Sequence, residues 1–352
     1  MNIPGAGGRD SLERTLRARE DAPGPAPRPA TAAPRAPDYD AALAALYDRL
    51  PPPTREAVDY AAMVVAVAPP DSHAVKDAQV RARMDGCRDK ASGPYSVGDQ
   101  QVAASPMFRM TPHVIPRALV KELHAIGKQA GLTEGQIGAL KVGQGSSASL
   151  VKMTQALIDA GKLPSDPADL AGRIKTMQWT YGIGMDCAGY AKEALRAAHG
   201  RELGFYGAGI ESFRDLDGKR SDTFARVRIA QARPGDLITL DPSPGGTYGH
   251  NVVVYDNKLA DATQRAALGA TYGASMAAFL TSPGPHRVLQ VDSSWGAGTE
   301  GNLVGGYRRD TWIYDESTKR WASFAPGTLP PQLVVSADGP SDDRFHAAYR
   351  PR

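Results

Sequence analysis

The stretch YGIGMDCAGYAKEAL, residues 181–195, places one of the chain's two cysteines at the start of a predicted helix. Asp186 is a favourable N-cap residue, Cys187 falls in the first turn, and apolar residues recur at helical spacing until Gly200, a common stop signal. The positive end of the helix dipole and the first backbone N–H groups then point at the thiol, which favours the thiolate. This stretch alone leaves two interpretations open, a nucleophile and a small buried structural cysteine.

Downstream of this helix, five short segments are rich in β-branched or aromatic residues and are bounded by turn residues, which is typical of strands. They are RVRIA at 226–230, DLITL at 236–240, HNVVVYD at 250–256, RVLQVDSS at 287–294 and TWIYDE at 311–316. A helix followed by consecutive strands predicts an α+β domain with a mainly antiparallel sheet, at about 166–330. A helical insertion is expected at 259–280.

A nucleophilic thiol requires a base, and of the seven histidines only His250 opens a predicted strand. Gln290 and Asp292 lie two residues apart in a neighbouring strand segment, and therefore on one face of that strand. A carboxylate both fixes the tautomer of an imidazole and stabilises the imidazolium, so Asp292 is the first choice for an orienting residue. Gln290, which orients without neutralising, is the alternative.

Three segments in this order resemble the NlpC/P60 superfamily of cysteine peptidases and amidases, whose members act on bacterial cell-wall peptides. The segments are Asp186-Cys187-Ala188-Gly189-Tyr190, Pro234-Gly235-Asp236-Leu237 and Gly249-His250. WTYG at 179–182 is similar to the family's aromatic-x-aromatic-Gly segment. The resemblance covers about 170–300 and implies a papain-like fold, in which a helix packs on a mainly antiparallel sheet.

The chain departs from the family pattern at three places. Ala188 stands where the family has a serine, and Trp179 stands where it usually has a tyrosine near the oxyanion site. The gap from His250 to Asp292 is also longer than is usual in the family, which makes the third catalytic residue the least defined of the set.

The resemblance implies acyl transfer, in which Cys187 attacks a peptide or amide carbonyl, His250 takes and returns the proton, and Asp292 orients His250. A role in binding the substrate or the oxyanion is expected for Trp179, Tyr181, Asp186 and Gln290. No metal and no organic cofactor is expected. Cys87, in MDGCRDKAS, is interpreted as structural.

The rest of the chain is divided by composition. Residues 1–37 are expected to form a disordered Pro/Ala-rich leader, because APGPAPRPATAAPRAP at 22–37 favours extended, solvated backbone. Residues 38–165 carry helix signals, among them a capping box formed by Thr133 and Gln136. A polar C-terminal tail is expected at 331–352.

Composition excludes several classes of function. A net charge of +3 over 352 residues, with scattered Lys and Arg, does not favour nucleic-acid binding. Two cysteines cannot build a disulfide framework or a Cys-rich zinc site. The N-terminus has no apolar core of a secretory signal, and the longest apolar run stops at two prolines, well short of a membrane span.

Because cell-wall peptides lie outside the cytoplasm, we expect an exported antibacterial effector that leaves its cell without a classical signal peptide. Its substrate would be peptidoglycan stem peptides, and its partners an immunity protein or a secretion apparatus. Two alternatives stay open: a papain-like effector protease or deamidase that acts on host proteins, and a catalytically inactive binding module.

Overall fold

The computed structural model describes a large part of the chain. The described residues are 73–106, 115–166, 169–201, 203, 216, 222–241, 249–295, 306–324, 333–337, 339–340 and 344–352. The expected leader at 1–37, and the helix signals before residue 73, lie outside them. All described residues, on both sides of the domain boundary expected at residue 165, belong to one compact unit, Val58–Arg352.

Helices and strands both contribute to this unit. The eight α-helices of the described residues are α1 His73–Ala91, α2 Arg117–Gln129, α3 Glu134–Lys141, α4 Ser147–Asp159, α5 Leu170–Tyr181, α6 Cys187–His199, α7 Ala262–Tyr272 and α8 Ala274–Phe279. The strands there are β1 Tyr95–Val97, β2 Gln100–Val102, β3 Phe224–Val227, β4 Leu237–Asp241, β5 His250–Leu259, β6 His286–Trp295, β7 Gly306–Asp315, β8 Trp321–Phe324, β9 Leu333–Ser336 and β10 Arg344–Pro351. None of the described helices combines the length and apolar character that crossing a membrane requires.

Helix α6 begins and ends where its local sequence predicts. The Asp186 carboxylate accepts a hydrogen bond from the backbone N–H of Gly189 at 2.6 Å, which satisfies one of the donors left free at a helix start. Gly200 ends the helix in the left-handed conformation, with φ of 65°, which costs glycine little. The capping box of Thr133 and Gln136 is likewise confirmed at the start of α3.

Eight of the strands form one antiparallel sheet, in the order β3-β10-β4-β5-β6-β7-β8-β9. The other two, β1 and β2, form a separate antiparallel pair. The predicted α+β class with an antiparallel sheet is therefore confirmed, and each of the five segments predicted as strands contributes to this sheet.

One face of the large sheet, called here the helix face, carries α6. Leu237 of β4 and Val253 of β5 are paired across the two strands, and both pack with Ala191 and Leu195 of α6. All four of these side chains are fully buried, so their packing positions the start of α6 over β5.

The opposite face, called here the far face, encloses a second core. Leu240, Val252 and Val291 belong to it, and so does the ring of Trp312. Four strands separate β8 from β10 in the sheet order, yet the rings of Trp321 (β8) and Phe345 (β10) lie 5.3 Å apart. The sheet is therefore strongly curved, with the far face on its concave side.

The C-terminal residues differ from the expected polar tail. Residues 331–352 contain β9 and β10, and β10 lies inside the sheet between β3 and β4. Its buried Ala347 and Tyr349 join the core of the helix face, whereas Ala348 joins the core of the far face. The pairing partners of β10 lie more than 100 residues earlier in the chain, where no local signal indicates them.

The helical insertion predicted at 259–280 is confirmed as α7 and α8, between β5 and β6. Met276 and Phe279 of α8 pack against Ile313 and Ala322 of the sheet.

Candidate functional site

The candidate site is built around Cys187 at the start of α6. The residue is half-buried, and the segment before it is tied to two neighbours. The hydroxyl of Ser294 on β6 donates to the carbonyl of Met185 at 2.6 Å, and Met185 also forms a β-bridge with Gln144. These contacts fix the position of the thiol over the helix face of the sheet.

The side chain that meets the thiol is Asn251, the second residue of β5. Its Nδ2 lies 3.9 Å from Cys187 Sγ, and the asparagine is 1% exposed. Asn251 pairs with Thr239 and points to the same side of the sheet as Val253, which packs on α6. The second residue of this strand, rather than the first, therefore faces the nucleophile candidate.

Burial dominates the acid–base behaviour of the thiol. It raises the pKa of Cys187 to about 12, and the nearby Asp186 carboxylate adds to the rise. The backbone N–H groups of Asn251 and Ala188, together with the Asn251 amide, act in the opposite direction because they stabilise a thiolate. The expectation that the helix start favours the thiolate is thus outweighed by desolvation in this conformation.

Asp186 is both the N-cap of α6 and the charged neighbour of the thiol. Besides the bond from Gly189, its two carboxylate oxygens accept hydrogen bonds from Gln144 Nε2 at 2.9 and 3.0 Å. Burial outweighs these bonds and raises the pKa of Asp186 to about 6. A carboxyl group that titrates near neutral pH is therefore held beside Cys187.

His250 does not lie on the side of the sheet that carries Cys187. It pairs with Leu240, whose side chain belongs to the core of the far face, and its Nε2 lies 2.8 Å from Ser293 Oγ. Burial, with a smaller contribution from Arg308, lowers the pKa of His250 to about 3, so the ring is neutral. The structure does not assemble the predicted pair of Cys187 and His250, because consecutive strand residues point to opposite faces.

Asp292 lies on the helix face but does not orient His250. Arg309 of β7 binds both of its carboxylate oxygens, through Nε at 2.7 Å and Nη2 at 2.8 Å, and the hydroxyl of Tyr190 lies 3.4 Å from Oδ2. Gln290, two residues earlier in β6, shares this face and is half-buried. Neither candidate for the third catalytic residue shares a face with His250.

Arg309 connects Asp292 to two further elements. Its Nη2 donates to Asp85 of α1 at 2.8 Å, and its guanidinium carbon lies 3.1 Å from the centroid of the Tyr255 ring. The Tyr255 hydroxyl donates to the same Asp85 at 2.8 Å. Asp292 is therefore the buried end of an ion-pair network that reaches the partly exposed Asp85, called here the Arg309 network (Asp85, Tyr190, Tyr255, Asp292 and Arg309).

The two aromatic residues expected at the oxyanion site lie at the end of α5. Both are buried, and the Tyr181 hydroxyl donates to Glu122 of α2 at 2.7 Å. Burial, reinforced by the Glu122 carboxylate, holds the pKa of Tyr181 above its usual range. The hydrogen bond of Tyr181 therefore joins α5 to α2. Trp179 is also among the buried residues of α5.

Reasoning from the sequence did not find Asn251, Gln144 or Arg309. Asn251 is the chain neighbour of His250, and alternation along the strand would normally reveal which of the two faces the helices. Here residues 252–254 are all valine and all fully buried, so no polar–apolar alternation marks the face.

Comparison with protein-family models, with curated proteins and with solved structures yields no match for this chain. The assignment of a function therefore depends on the chemistry of the site. No group of three or more His, Cys, Asp or Glu side chains within the described ranges is arranged to hold a metal ion.

Proposed function

We propose that the chain is a cysteine hydrolase that cleaves peptide or amide bonds, with peptides of bacterial peptidoglycan as its substrate class. The observation that carries this proposal is the thiol of Cys187 at the start of α6, met by the Asn251 amide at 3.9 Å. The order of the three segments that resemble the NlpC/P60 superfamily supports the substrate class and a papain-like fold.

In this proposal Cys187 acts without an imidazole, since His250 lies on the far face. Sγ attacks the carbonyl carbon, and the thiol proton passes to Asp186, whose pKa of about 6 suits a general base near neutral pH. Asp186 returns the proton to the leaving amine, and water then hydrolyses the thioester. The N–H of Cys187, one of the donors that an α-helix leaves free at its start, stabilises the oxyanion.

The test is digestion of purified peptidoglycan, with the soluble products measured by mass spectrometry. Wild type is expected to release muropeptides, and Cys187→Ala none. Asp186→Asn keeps the helix cap and the contact with Gln144 but removes the proton acceptor, so its product release is expected to fall by two orders of magnitude or more. Equal product release by wild type and Cys187→Ala would reject the hydrolase.

The variant His250→Gln tests whether the reaction uses a Cys187–His250 pair, as predicted from the sequence, or proceeds without the imidazole, as the structure indicates. Glutamine retains a hydrogen-bonding group for Ser293 and removes the only base that a Cys–His pair would use. Because His250 faces away from the thiol, product release is expected to stay within about twofold of wild type. Complete loss of activity in a folded His250→Gln variant would show that the imidazole reaches Cys187 in the active enzyme.

A second candidate function is a non-hydrolytic binding module with the architecture of a cysteine peptidase. The specific observation in its favour is the thiol pKa of about 12, which leaves Cys187 almost entirely protonated near neutral pH. Co-sedimentation of the protein with peptidoglycan, without released products from wild type, would establish this function in place of hydrolysis.

The proposal extends to where the protein acts. A hydrolase of cell-wall peptides meets its substrate in the periplasm of a target cell, which fits an exported effector with a cognate immunity protein. Expression directed to the periplasm is expected to lyse bacteria with wild type and not with Cys187→Ala. Cleavage or deamidation of a host protein, with intact peptidoglycan, would instead support an effector that acts on host proteins.

A further inference from the structure

The amide of Asn251 is only half satisfied. Its Nδ2 is directed at Cys187 Sγ, whereas its Oδ1 is buried and makes no hydrogen bond among the described residues. The asparagine is 1% exposed, so its acceptor is enclosed by the protein in this conformation. A buried acceptor without a donor is uncommon in folded proteins and is destabilising unless a ligand or another group completes it.

The position of this acceptor suggests what completes it. Oδ1 is attached to the same amide carbon as the nitrogen that meets the thiol, so it lies within one amide group of Sγ. A carbonyl compound that carries an N–H beside its carbonyl would bring a donor to this acceptor.

We infer that Asn251 is a substrate-contact residue that selects amides over esters: Nδ2 holds Sγ, and Oδ1 accepts the N–H adjacent to the carbonyl under attack. This inference deepens the proposed function, on which it rests, by naming the residue that recognises the amide group. Because Oδ1 is a hydrogen-bond acceptor, the feature of the ligand that it recognises is the N–H group and not the carbonyl oxygen.

The test uses two thiol-alkylating probes of the same shape, N-methyl-2-iodoacetamide and methyl iodoacetate, which differ by an N–H in place of an oxygen. Their rates with Cys187 in the full chain are measured by peptide-level mass spectrometry, which separates Cys187 from Cys87. Each rate is divided by the rate of the same probe with N-acetylcysteine. Wild type is expected to prefer the amide by about fivefold, the factor that one net hydrogen bond contributes.

Three variants define the role of the side chain. Asn251→Leu has a similar volume and no acceptor, so the amide preference is expected to fall to one. Asn251→Asp keeps an acceptor and should keep the preference, while both probes react more slowly because a second carboxylate opposes the thiolate. Thr239→Val, at the position paired with Asn251, is the matched control and is expected to behave like wild type.

Two outcomes would overturn the inference: an amide preference of one in wild type, or an unchanged preference in Asn251→Leu. If Asn251→Leu does not fold, Asn251→Ala takes its place, since alanine also removes the acceptor and is smaller than asparagine. Alkylation does not require turnover, so a failure of the hydrolase proposal in the peptidoglycan digest is distinguishable from a failure here.

Discussion

Replacement of Arg309 by methionine tests whether Asp292 is held in a structural ion pair. The substitution removes both hydrogen bonds to Asp292, which is fully buried, together with the bond to Asp85 and the contact with the Tyr255 ring. Breaking a buried pair by removing one partner costs about 3–5 kcal/mol. Because the Arg309 side chain is 22% exposed, we expect the low end, about 3 kcal/mol.

The assay is thermal and urea unfolding of the full chain. For a unit of this size a loss of about 3 kcal/mol lowers Tm by roughly 5 °C. The neighbouring Arg308→Met is the matched control, because Arg308 lies on the same strand and pairs with a partly exposed Asp310, an interaction of about 1 kcal/mol or less. The double variant Asp292→Leu, Arg309→Met is expected to recover part of the loss, since it leaves no unpaired charge at position 292.

The result that refutes this reasoning is an Arg309→Met variant that unfolds at the same temperature as Arg308→Met. A second refuting result is Asp292→Asn with wild-type stability and no hydrolysis, because that combination defines a residue of the reaction and not of the ion-pair network.

Three further predictions follow from the site and the sheet. Since burial raises the pKa of Cys187 to about 12, its alkylation at pH 7.5 should be about three orders of magnitude slower than that of a free cysteine with a pKa near 8.5. Asp186→Asn should accelerate the alkylation of Cys187. An alkylation rate of wild type that levels off below pH 9 would contradict the structure. The pKa of Asp186 is raised in the folded state, so the folded state binds a proton more tightly than the unfolded state does. Wild type should therefore lose stability relative to Asp186→Asn as pH rises from about 4 to about 6. Urea unfolding across this range tests the prediction, and parallel pH profiles of stability for the two proteins would contradict it. Deletion of Arg344–Arg352 removes β10 from between β3 and β4 and should abolish cooperative unfolding, as read by circular dichroism; a deletion variant that melts like wild type would show that β10 is dispensable.

Much of the secondary structure was accessible from short-range patterns. The start of α6 at Cys187, its end at Gly200 and the capping box at Thr133 depend on residues within one or two helical turns, and all three are confirmed. The strands at 237–241 and 250–259 were likewise marked by β-branched residues between turn signals.

Which residues make up the site was harder to predict from the sequence, because this depends on which side chains of a strand point to which face of the sheet. His250 and Asn251 are adjacent, and a difference of one residue in strand orientation decides which of them meets Cys187. The three valines that follow are buried on both faces of the sheet, so the hydrophobic pattern is the same in either orientation. The packing of Leu237 and Val253 against α6, which is a long-range contact, makes the choice.

The sequence by itself determined the class of fold, the helix that carries Cys187 and the positions of most strands, since caps, turns and hydrophobic periodicity act over a few residues. Only the tertiary structure decided that Asn251 faces the thiol, that Asp292 is bound by Arg309 and that β10 enters the middle of the sheet. Each of these depends on pairing between segments distant in the chain, and the free energy of that pairing comes from side chains that are not neighbours in sequence.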